Sequence, residues 1–440
     1  MHAKPTVAPL DAGSFETMRF RTLDEWLAWQ EELHFSAIDL GLDRCTEVAE
    51  RMGLLHPEYT VISVAGTNGK GSSACLLNAI YLNAGYSVGT YTSPHLIRYN
   101  ERIRINGAEV SDRELCGAFE RIDRARGDIS LTYFEFGTLA AMDIFHRYGV
   151  EIAILEVGLG GRLDAVNCLD ADVALITSIA LDHENWLGSD RESIGREKAG
   201  ILRSGAPAIT SDTEPPASIL EYAGSIGAPM YISGKDFNLE ITDSSWSWRY
   251  DTIEYSDLPF PSQHNSSQVG NASGVLMAVT AMRERFPVGE ESIREALRSF
   301  NLLGRFQIVP DKAQLVLDVA HNREAAALLV ENLKSLPVKG KTHVLIGMLK
   351  DKNHASIFGE LAAIADEWHI VTLENPRGAD CHFLAEVLKG LSGEETIRCH
   401  DDVASALTMI RGFVDPGDRI VITGSFLTVG AAINLLNLQH

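Results

Sequence analysis

Short apolar runs alternate with helical patterns along most of this chain. Runs with the composition of buried strands lie within residues 59–65, 85–91, 152–157 and 173–178. Apolar residues with helical spacing lie within residues 23–55, where two helices are expected, and within 73–84, 112–126 and 133–148. Strands that alternate with helices in this way predict a parallel sheet with helices on both faces.

A second alternating series begins after residue 302, with strands predicted within 315–319, 342–347, 368–372 and 419–424. Residues 211–263, between the two series, are irregular, and Trp246 and Trp248 favour short antiparallel strands at a sheet edge. A helix is expected again over 269–285. The predicted fold class is therefore α/β. It comprises a P-loop-type doubly wound parallel sheet in an N-terminal domain, residues 1–302, and a smaller Rossmann-like α/β domain, residues 303–440.

The turn after the first strand has the composition of a phosphate-binding loop. Gly66, Gly69 and Gly71 allow a tight turn whose N–H groups point inward, and Lys70 adds a positive charge for phosphate oxygens. The hydroxyl of Ser72 would face a magnesium ion. The gap between the glycines is shorter than in the usual motif, so an ordinary glycine-rich turn between strand and helix is the alternative.

Other polar residues follow the predicted strands or lie on a nearby helix. Glu156 closes an apolar strand, where an ionised carboxylate is costly unless it is paired or metal-bound, and His183 follows the next strand. A salt-bridged carboxylate and a hydrogen-bonded neutral histidine are the alternatives. Lys198, taken alone, indicates a solvated charged helix. The run from Asp318 to Asn322 indicates either a ligand site at a strand end or a helix cap.

Composition and charge exclude several classes of function. The chain carries 38 basic and 60 acidic residues, and its formal net charge of −22 disfavours binding to nucleic acid or to an anionic membrane surface. Its six cysteines form no C-x-x-C pair, which is typical of reduced thiols in a cytoplasmic protein. The sequence has no apolar run of about 18 residues and no signal-peptide pattern at residues 1–20. The cytoplasm is therefore the expected location.

Together these residues resemble the ATP-dependent amide-bond ligases of the Mur type, and within them the dihydrofolate synthase/folylpolyglutamate synthase family. The resemblance covers nearly the whole chain. It is carried by Trp26-Leu, Ile38-Asp-Leu-Gly-Leu, Gly66-Thr-Asn-Gly-Lys-Gly-Ser, Thr92-Ser-Pro-His-Leu, Leu131-Thr-Tyr-Phe-Glu, Leu155-Glu-Val-Gly-Leu-Gly-Gly-Arg-Leu-Asp-Ala and Arg196-Glu-Lys-Ala-Gly-Ile.

The resemblance implies a role for each of these groups. ATP would be bound by Thr67, Asn68, Gly69, Lys70, Gly71, Ser72, Asn271, Arg305 and Asp318. Mg²⁺ would be held by Ser93, Glu156, His183 and Lys198, the last as a carbamylated lysine. The resemblance also implies catalytic roles for Lys70, Lys198, His183 and His321. The pterin substrate would be lined by Asp39, Thr132, Tyr133, Phe134, Glu135, Leu163, Asp164 and Ala165.

Three positions depart from the family pattern, all in the second domain or at its start. Leu303 stands where the family usually has the proline of Pro-Gly-Arg, and Arg323 stands where it has the proline of His-Asn-Pro. Leu427 stands where the family often has the histidine of a late Gly-Ser-Phe-His block. The departures at Arg323 and Leu427 concern the half of the site that delivers glutamate.

The implied reaction joins L-glutamate to dihydropteroate and to reduced folates through an acyl phosphate, in an enzyme expected to act as a monomer. Closure of the second domain over the first would exclude water from that intermediate. A nucleotide-dependent switch would explain the loop but not Glu156, His183 and Lys198 together. A cell-wall amino-acid ligase of the same fold would bind a UDP-sugar, and the blocks at Asp39, Thr132 to Glu135 and Leu163 to Ala165 argue against it. An enzyme that has only one of the two activities is a further alternative.

Overall fold

The computed structural model describes residues 18–36, 38–261, 266–391 and 396–438. Most of residues 1–20, for which the sequence favours an irregular arm, lie outside these ranges. The chain divides into two compact units. Unit 1 comprises residues 1–179, 191–262 and 268–300, and unit 2 comprises residues 180–190, 263–267 and 301–440.

Helices of the described ranges follow one another along the chain as α1 (Leu23–Leu33), α2 (Asp43–Arg51), α3 (Lys70–Asn83), α4 (Asp112–Arg126), α5 (Tyr133–Tyr148), α6 (Glu184–Leu187), α7 (Arg191–Ala199), α8 (Ala217–Ile226), α9 (Ser266–Ala281), α10 (Glu290–Ser299), α11 (Arg323–Ser335), α12 (His354–Leu361), α13 (Cys381–Lys389), α14 (Val403–Phe413) and α15 (Phe426–Leu435). None of them combines the length and the apolar character that crossing a bilayer requires.

Strands of the same ranges are β1 (Thr60–Ala65), β2 (Val88–Tyr91), β3 (Ile103–Ile105), β4 (Ala108–Glu109), β5 (Ile152–Glu156), β6 (Val173–Ile176), β7 (Ala208–Thr210), β8 (Met230–Ile232), β9 (Phe237–Ile241), β10 (Trp246–Tyr250), β11 (Ile253–Leu258), β12 (Gln307–Val309), β13 (Gln314–Leu317), β14 (Thr342–Ile346), β15 (Glu367–Val371), β16 (Thr396–His400) and β17 (Arg419–Thr423). The predicted alternation of strands and helices is confirmed in both halves of the chain.

The main sheet of unit 1 has the strand order β4-β3-β2-β5-β1-β6-β7-β8. Its pairings are parallel from β2 to β8, whereas β3 and β4 add an antiparallel edge. Every residue of β1 and β5 is buried, which is typical of central strands covered on both faces. Because β1 lies between β5 and β6, the loops after these three strands meet at one edge of the sheet.

The prediction of antiparallel edge strands for residues 211–263 is wrong in part. This segment contains α8, and then β8, which extends the main sheet in parallel. Only β9, β10 and β11 are antiparallel, and they form a separate three-stranded sheet in which Trp246 and Trp248 are fully buried. The strand β8 is only three residues long, which is too short for a periodic pattern to be recognised.

Unit 2 contains a six-stranded sheet in the order β12-β13-β17-β14-β15-β16. All its pairings are parallel except that of β12 with β13. The strands β14, β15 and β17 are buried along their whole length, and they pack beneath helices that include α11, α12 and α13. Both units therefore have the predicted α/β class.

Candidate active site

The glycine-rich loop lies at the carboxyl end of β1 and leads directly into α3, which begins at Lys70. Its backbone is held by the neighbouring strand, because Thr67 N donates to Ser178 O at 2.8 Å and the hydroxyl of Thr177 donates to Asn68 O at 2.7 Å. The loop thus joins a central strand to a helix N-terminus, which is the arrangement that favours phosphate binding.

Two glycines of this loop occupy positions where a side chain would clash. Gly66 has φ of 143°, and a Cβ at this residue would lie 1.7 Å from Oγ1 of Thr177. Gly69 has φ of 90°, and its Cβ would lie 2.4 Å from Oδ1 of Asn271. Asn271, predicted to contact the nucleotide, therefore lies against the phosphate loop.

Two lysines direct their ammonium groups to the same backbone oxygen of the loop. Lys70 Nζ donates to Gly66 O at 3.0 Å and to Thr67 O at 3.1 Å, and Lys198 Nζ donates to Gly66 O at 2.8 Å. Lys198 is buried on α7, so the solvated position that its sequence context favours is wrong. Lys70 thus places a positive charge beside the loop, which suits a polyphosphate, and Lys198 is buried next to it.

The oxygen groups near this loop fit a magnesium ion. Glu156 ends β5 in a buried position, and its Oε2 accepts the Ser93 N–H at 2.9 Å. Ser72, in the first turn of α3, is also buried, and its hydroxyl accepts a hydrogen bond from Gln268 at 3.3 Å. Carboxylate and hydroxyl oxygens are the donors that Mg²⁺ prefers.

The turn at Asp164 contains a buried carboxyl group. Its two oxygens accept N–H groups from Leu159 at 2.8 Å and from Val166 at 3.1 Å. Burial raises the pKa of Asp164 to about 7, although these N–H donors and the charge of Lys70 act in the opposite direction. Ala165 follows as the first residue of a short 3-10 helix.

The predicted pterin-binding residues converge through one arginine that the sequence did not single out. Arg44 Nη1 donates to Asp39 Oδ2 at 2.7 Å, and its Nε donates to Glu135 Oε1 at 3.2 Å. His34 contacts the same oxygen of Asp39 at 3.1 Å. Nearby, Gly41 N donates to Leu163 O at 3.2 Å, so the segment after α1 adjoins the Asp164 turn.

The block from Thr132 to Glu135 also has a structural role. Glu135 N donates to the Thr132 hydroxyl at 3.2 Å, while Glu135 Oε2 accepts Thr132 N–H at 2.7 Å, and this reciprocal pair caps α5. Tyr133 packs edge-on against Tyr99, and Phe134 lies over Gly158, where a Cβ would come within 2.5 Å of its ring. The Phe134 ring thus reaches the loop that follows β5.

In unit 2, Asp318 holds the linker at the start of the second sheet. Its carboxylate accepts Phe306 N–H and Ala320 N–H, both at 2.8 Å. Burial raises the pKa of Asp318, with the Arg305 guanidinium as the main opposing influence. Arg305 stacks over Phe426 at 4.9 Å from the ring centroid.

A buried ion pair of unit 2 brings the segment around residue 183 against the strand ends of the second sheet. Lys352 Nζ donates to Asp182 Oδ1 at 2.6 Å, and His321 Nε2 lies 3.5 Å from Asp182 Oδ2. Burial alone would raise the pKa of Asp182, but the hydrogen bond from His321 and the charges of Lys352 and His183 hold it well below its usual range. The sequence did not single out Asp182 or Lys352.

Comparison with known proteins places these features in one family. Residues 304–426 match the family described as Mur ligase, glutamate ligase domain. The dihydrofolate synthase/folylpolyglutamate synthase of Escherichia coli (strain K12) is 44% identical over 421 residues, which cover 95% of this chain and 96% of that protein. The chain belongs to the dihydrofolate synthase/folylpolyglutamate synthase family.

Solved members of this family share the fold. The structure of E. coli FolC in complex with DHPP and ADP has a TM-score of 0.90 at 43% identity and covers 95% of this chain and 98% of that one. A bifunctional folylpolyglutamate synthase/dihydrofolate synthase with Mn, AMPPNP and L-glutamate bound has a TM-score of 0.87 at 44% identity, with the same coverage. The predicted family, ligase class and fold are confirmed.

Within this family fold, the three departures from the usual motifs occupy helix starts and a turn. Gly304 has φ of 66°, so its turn forms without the usual proline before it. Arg323 is the first residue of α11, where its Nε donates to Glu360 at 2.9 Å, and Asn322 caps that helix. Leu427, in the first turn of α15, is 41% exposed.

Proposed function

We propose that this chain ligates L-glutamate to dihydropteroate, forming dihydrofolate, and to reduced folates, forming folylpolyglutamates, with ATP as the co-substrate. Support comes from the family membership over 95% of the chain and from the bifunctional names of its relatives. Within the chain, residues 1–302 would bind ATP and the pterin, and residues 303–440 would bind glutamate.

The position of Lys70 at the N-terminus of α3, with its Nζ at Gly66 O, is the observation on which this proposal rests most heavily. A phosphoryl group in transfer concentrates negative charge, and fixed cations at a helix N-terminus stabilise that charge more than they stabilise the substrate. Thr67, Asn68, Gly69, Gly71 and Ser72 would complete the phosphate contacts, and Asn271, Arg305 and Asp318 are also proposed to bind ATP.

Ser93, Glu156, His183 and a carbamylated Lys198 would hold Mg²⁺. When bound, such an ion would neutralise negative charge on the transferring phosphoryl group. Glu156 supplies a buried carboxylate whose orientation is fixed by the Ser93 N–H. The carbamate on Lys198 would replace a positive charge by a negative one, which suits a position next to a cation.

The proposed chemistry has two steps. The substrate carboxylate attacks the γ-phosphorus of ATP, the bond from that phosphorus to ADP breaks, and an acyl phosphate forms. The amine of glutamate then attacks the acyl carbon, inorganic phosphate leaves, and the amine loses a proton. A catalytic role is also proposed for His321, whose Nδ1–H is held by Val319 O at 2.9 Å and whose Nε2 lies 3.5 Å from Asp182 Oδ2.

The substrate side would be formed by Asp39, Thr132 to Glu135 and Leu163 to Ala165. Arg44 ties Asp39 to Glu135, so the loop after α1 and the start of α5 present one connected surface. We expect the protein to act in the cytoplasm as a monomer, without nucleic acid or membrane partners.

Isotope transfer tests the acyl-phosphate route directly. Dihydropteroate labelled with ¹⁸O in its carboxylate is incubated with the protein, ATP, Mg²⁺ and L-glutamate, and the released phosphate is analysed by mass spectrometry. We expect one ¹⁸O atom in each phosphate per amide formed. Unlabelled phosphate accompanying amide formation would contradict the proposed route.

A further inference from the structure

Three neighbouring strands of unit 2 carry a cluster of histidines that the proposed reaction does not use. His343 on β14 is paired in register with Glu367 on β15, and His369 lies two residues further along the same strand. Alternation along a strand therefore places Glu367 and His369 on one face of the sheet. His400, at the end of β16, lies beside His369 with the two rings stacked 5.3 Å apart.

The buried nitrogens of this cluster are not satisfied by hydrogen bonds from the described part of the chain. His343 is 1% exposed and His369 is fully buried. Nδ1 of His343 and Nε2 of His369 have no hydrogen-bond partner among the residues that the structure describes. Buried polar atoms nearly always have a partner, so these two nitrogens need an explanation.

The donor atoms are close enough to share one ion. One ligand atom from each of His343, Glu367 and His369 lies within 4.8 Å of the other two. Nδ1 of His343 is 3.8 Å from Oε2 of Glu367. Zinc bonds of roughly 2.0–2.2 Å to nitrogen and oxygen require small side-chain adjustments from this geometry.

Both imidazoles already have the outer contacts that orient metal-binding histidines. His369 Nδ1 is 3.0 Å from His400 Nε2, and donation of the Nδ1 proton to His400 leaves a lone pair on Nε2. His343 Nε2 lies 3.6 Å from Asp418 Oδ2. A ligating histidine commonly directs its other nitrogen to such an acceptor, which fixes the tautomer and the ring orientation.

Two cations contact the carboxylate of Glu367. Lys341 Nζ lies 2.8 Å from Oε1, and Arg398 Nη1 lies 2.5 Å from Oε2. These two cations weaken metal binding. Their side chains are 63% and 37% exposed, so they also mark a short path from solvent.

We propose that His343, His369 and Glu367 bind one zinc-type transition-metal ion in the C-terminal sheet. Two imidazole nitrogens and one carboxylate oxygen form a donor set that favours zinc over Mg²⁺ or Ca²⁺. Three protein ligands leave one position for water. Because the ligands come from β14 and β15, the ion links neighbouring strands and stabilises unit 2 without taking part in the ligation.

Zinc titration of the full chain tests this site. Protein stripped with a chelator is supplied with excess Mg²⁺ and ADP, so that the nucleotide site is occupied, and zinc is then titrated against a chromophoric chelator. We expect the wild type to bind one equivalent of zinc, with a rise in the Tm. Zinc should bind at least about 100-fold more weakly to His343→Asn and His369→Asn, because each variant loses a direct ligand. Loss of a residue that only contacts a ligand lowers metal affinity by about 10–100-fold.

The matched controls come from a second group of possible ligands, Cys381, His382 and Cys399. His382→Ala and Cys399→Ser should retain the wild-type zinc affinity and Tm shift. Loss of zinc binding in these variants, or absence of a bound equivalent in the wild type, would overturn the proposal. If the histidine variants fail to fold, Co²⁺ bound to the wild type decides the question. Nitrogen and oxygen ligation gives no thiolate-to-cobalt charge-transfer band, and the presence of that band would assign the ion to the cysteines.

Discussion

Single side chains around the phosphate loop explain more than the glycine pattern alone. The sequence correctly identified the loop as a turn between strand and helix, because glycine spacing is a local signal. It could not show that Gly66 is required by the Thr177 hydroxyl or that Gly69 lies against Asn271. Taken alone, the charged pattern around Lys198 favoured a solvated side chain, whereas the resemblance implied a metal-site lysine, and the structure buries this side chain on α7. Those contacts join residues more than 100 positions apart, which local patterns do not encode.

Lys198→Ala should abolish ligation and regain part of it when short carboxylates such as acetate are added. The reason is that the proposed carbamate supplies an anionic metal ligand that a small acid can replace. The measurement is ADP release coupled to amide formation, with and without acetate. Lys235→Ala, an exposed lysine of the same unit, serves as the control and should keep wild-type activity. Wild-type turnover by Lys198→Ala, or loss without any rescue, would contradict the carbamate.

Asp164 should make the stability of unit 1 depend on pH. Burial raises the folded-state pKa to about 7, above the ordinary value of 3.8, so the folded protein holds this proton more tightly than the unfolded chain. The contribution of protonated Asp164 to the free energy of unfolding is therefore present below about pH 4 and is lost as the pH rises to about 7. The free energy of unfolding of the wild type, relative to Asp164→Asn, should fall by up to about 4 kcal/mol over that interval. A difference that does not change with pH in urea titrations would show that Asp164 is not shifted.

Helices and strands were predictable where they are long and periodic. The helices α4 and α5 were predicted with the bounds that the structure shows, because their apolar residues repeat with helical spacing. In the structure, capping boxes at Ser111 and Thr132 begin both helices. The three-residue strands β7 and β8 escaped detection, and the tryptophan-rich strands were assigned to the wrong sheet. Whether a short strand forms depends more on its pairing with neighbouring strands than on its own sequence pattern.

The stability of the segment around α6 should depend on the buried ion pair between Asp182 and Lys352. Lys352→Met leaves the Asp182 carboxylate without its closest cation, which in comparable buried pairs costs about 3–5 kcal/mol. We expect a loss of that size in the free energy of unfolding of unit 2, measured by urea titration. The double variant Asp182→Asn with Lys352→Met should recover part of the loss. Equal stability of the single and double variants would show that the pair is not coupled.

The chain as a whole could be assigned to its fold and family from sequence, because many motifs occur in the same order as in related ligases. The connections between motifs could not be derived. Arg44, which binds Asp39, reaches Glu135 across 91 positions, and Lys352 reaches Asp182 across 170. Neither Arg44 nor Lys352 belongs to a motif that indicates catalysis. Both were found only when the folded chain brought their partners together.

Asp39→Ala should affect the two proposed glutamate additions unequally. The shorter substrate, dihydropteroate, has fewer other contacts, so loss of the Asp39–Arg44–Glu135 connection should reduce kcat/KM for dihydropteroate more than for tetrahydrofolate. Steady-state kinetics with both substrates measures the difference. Asp43→Ala, a neighbouring residue outside this network, is the control and should preserve the wild-type ratio. Equal losses on the two substrates would argue against separate binding poses.

The most direct test of the proposed function is mass spectrometry of the products formed by the purified wild-type chain. Separate reactions contain dihydropteroate or tetrahydrofolate, each with L-glutamate, ATP and Mg²⁺. We predict dihydrofolate from the first and a tetrahydrofolate extended by glutamate from the second, with one ADP released per amide formed. ADP release without an amide product, or a glutamate adduct from only one of the two substrates, would contradict the bifunctional ligase.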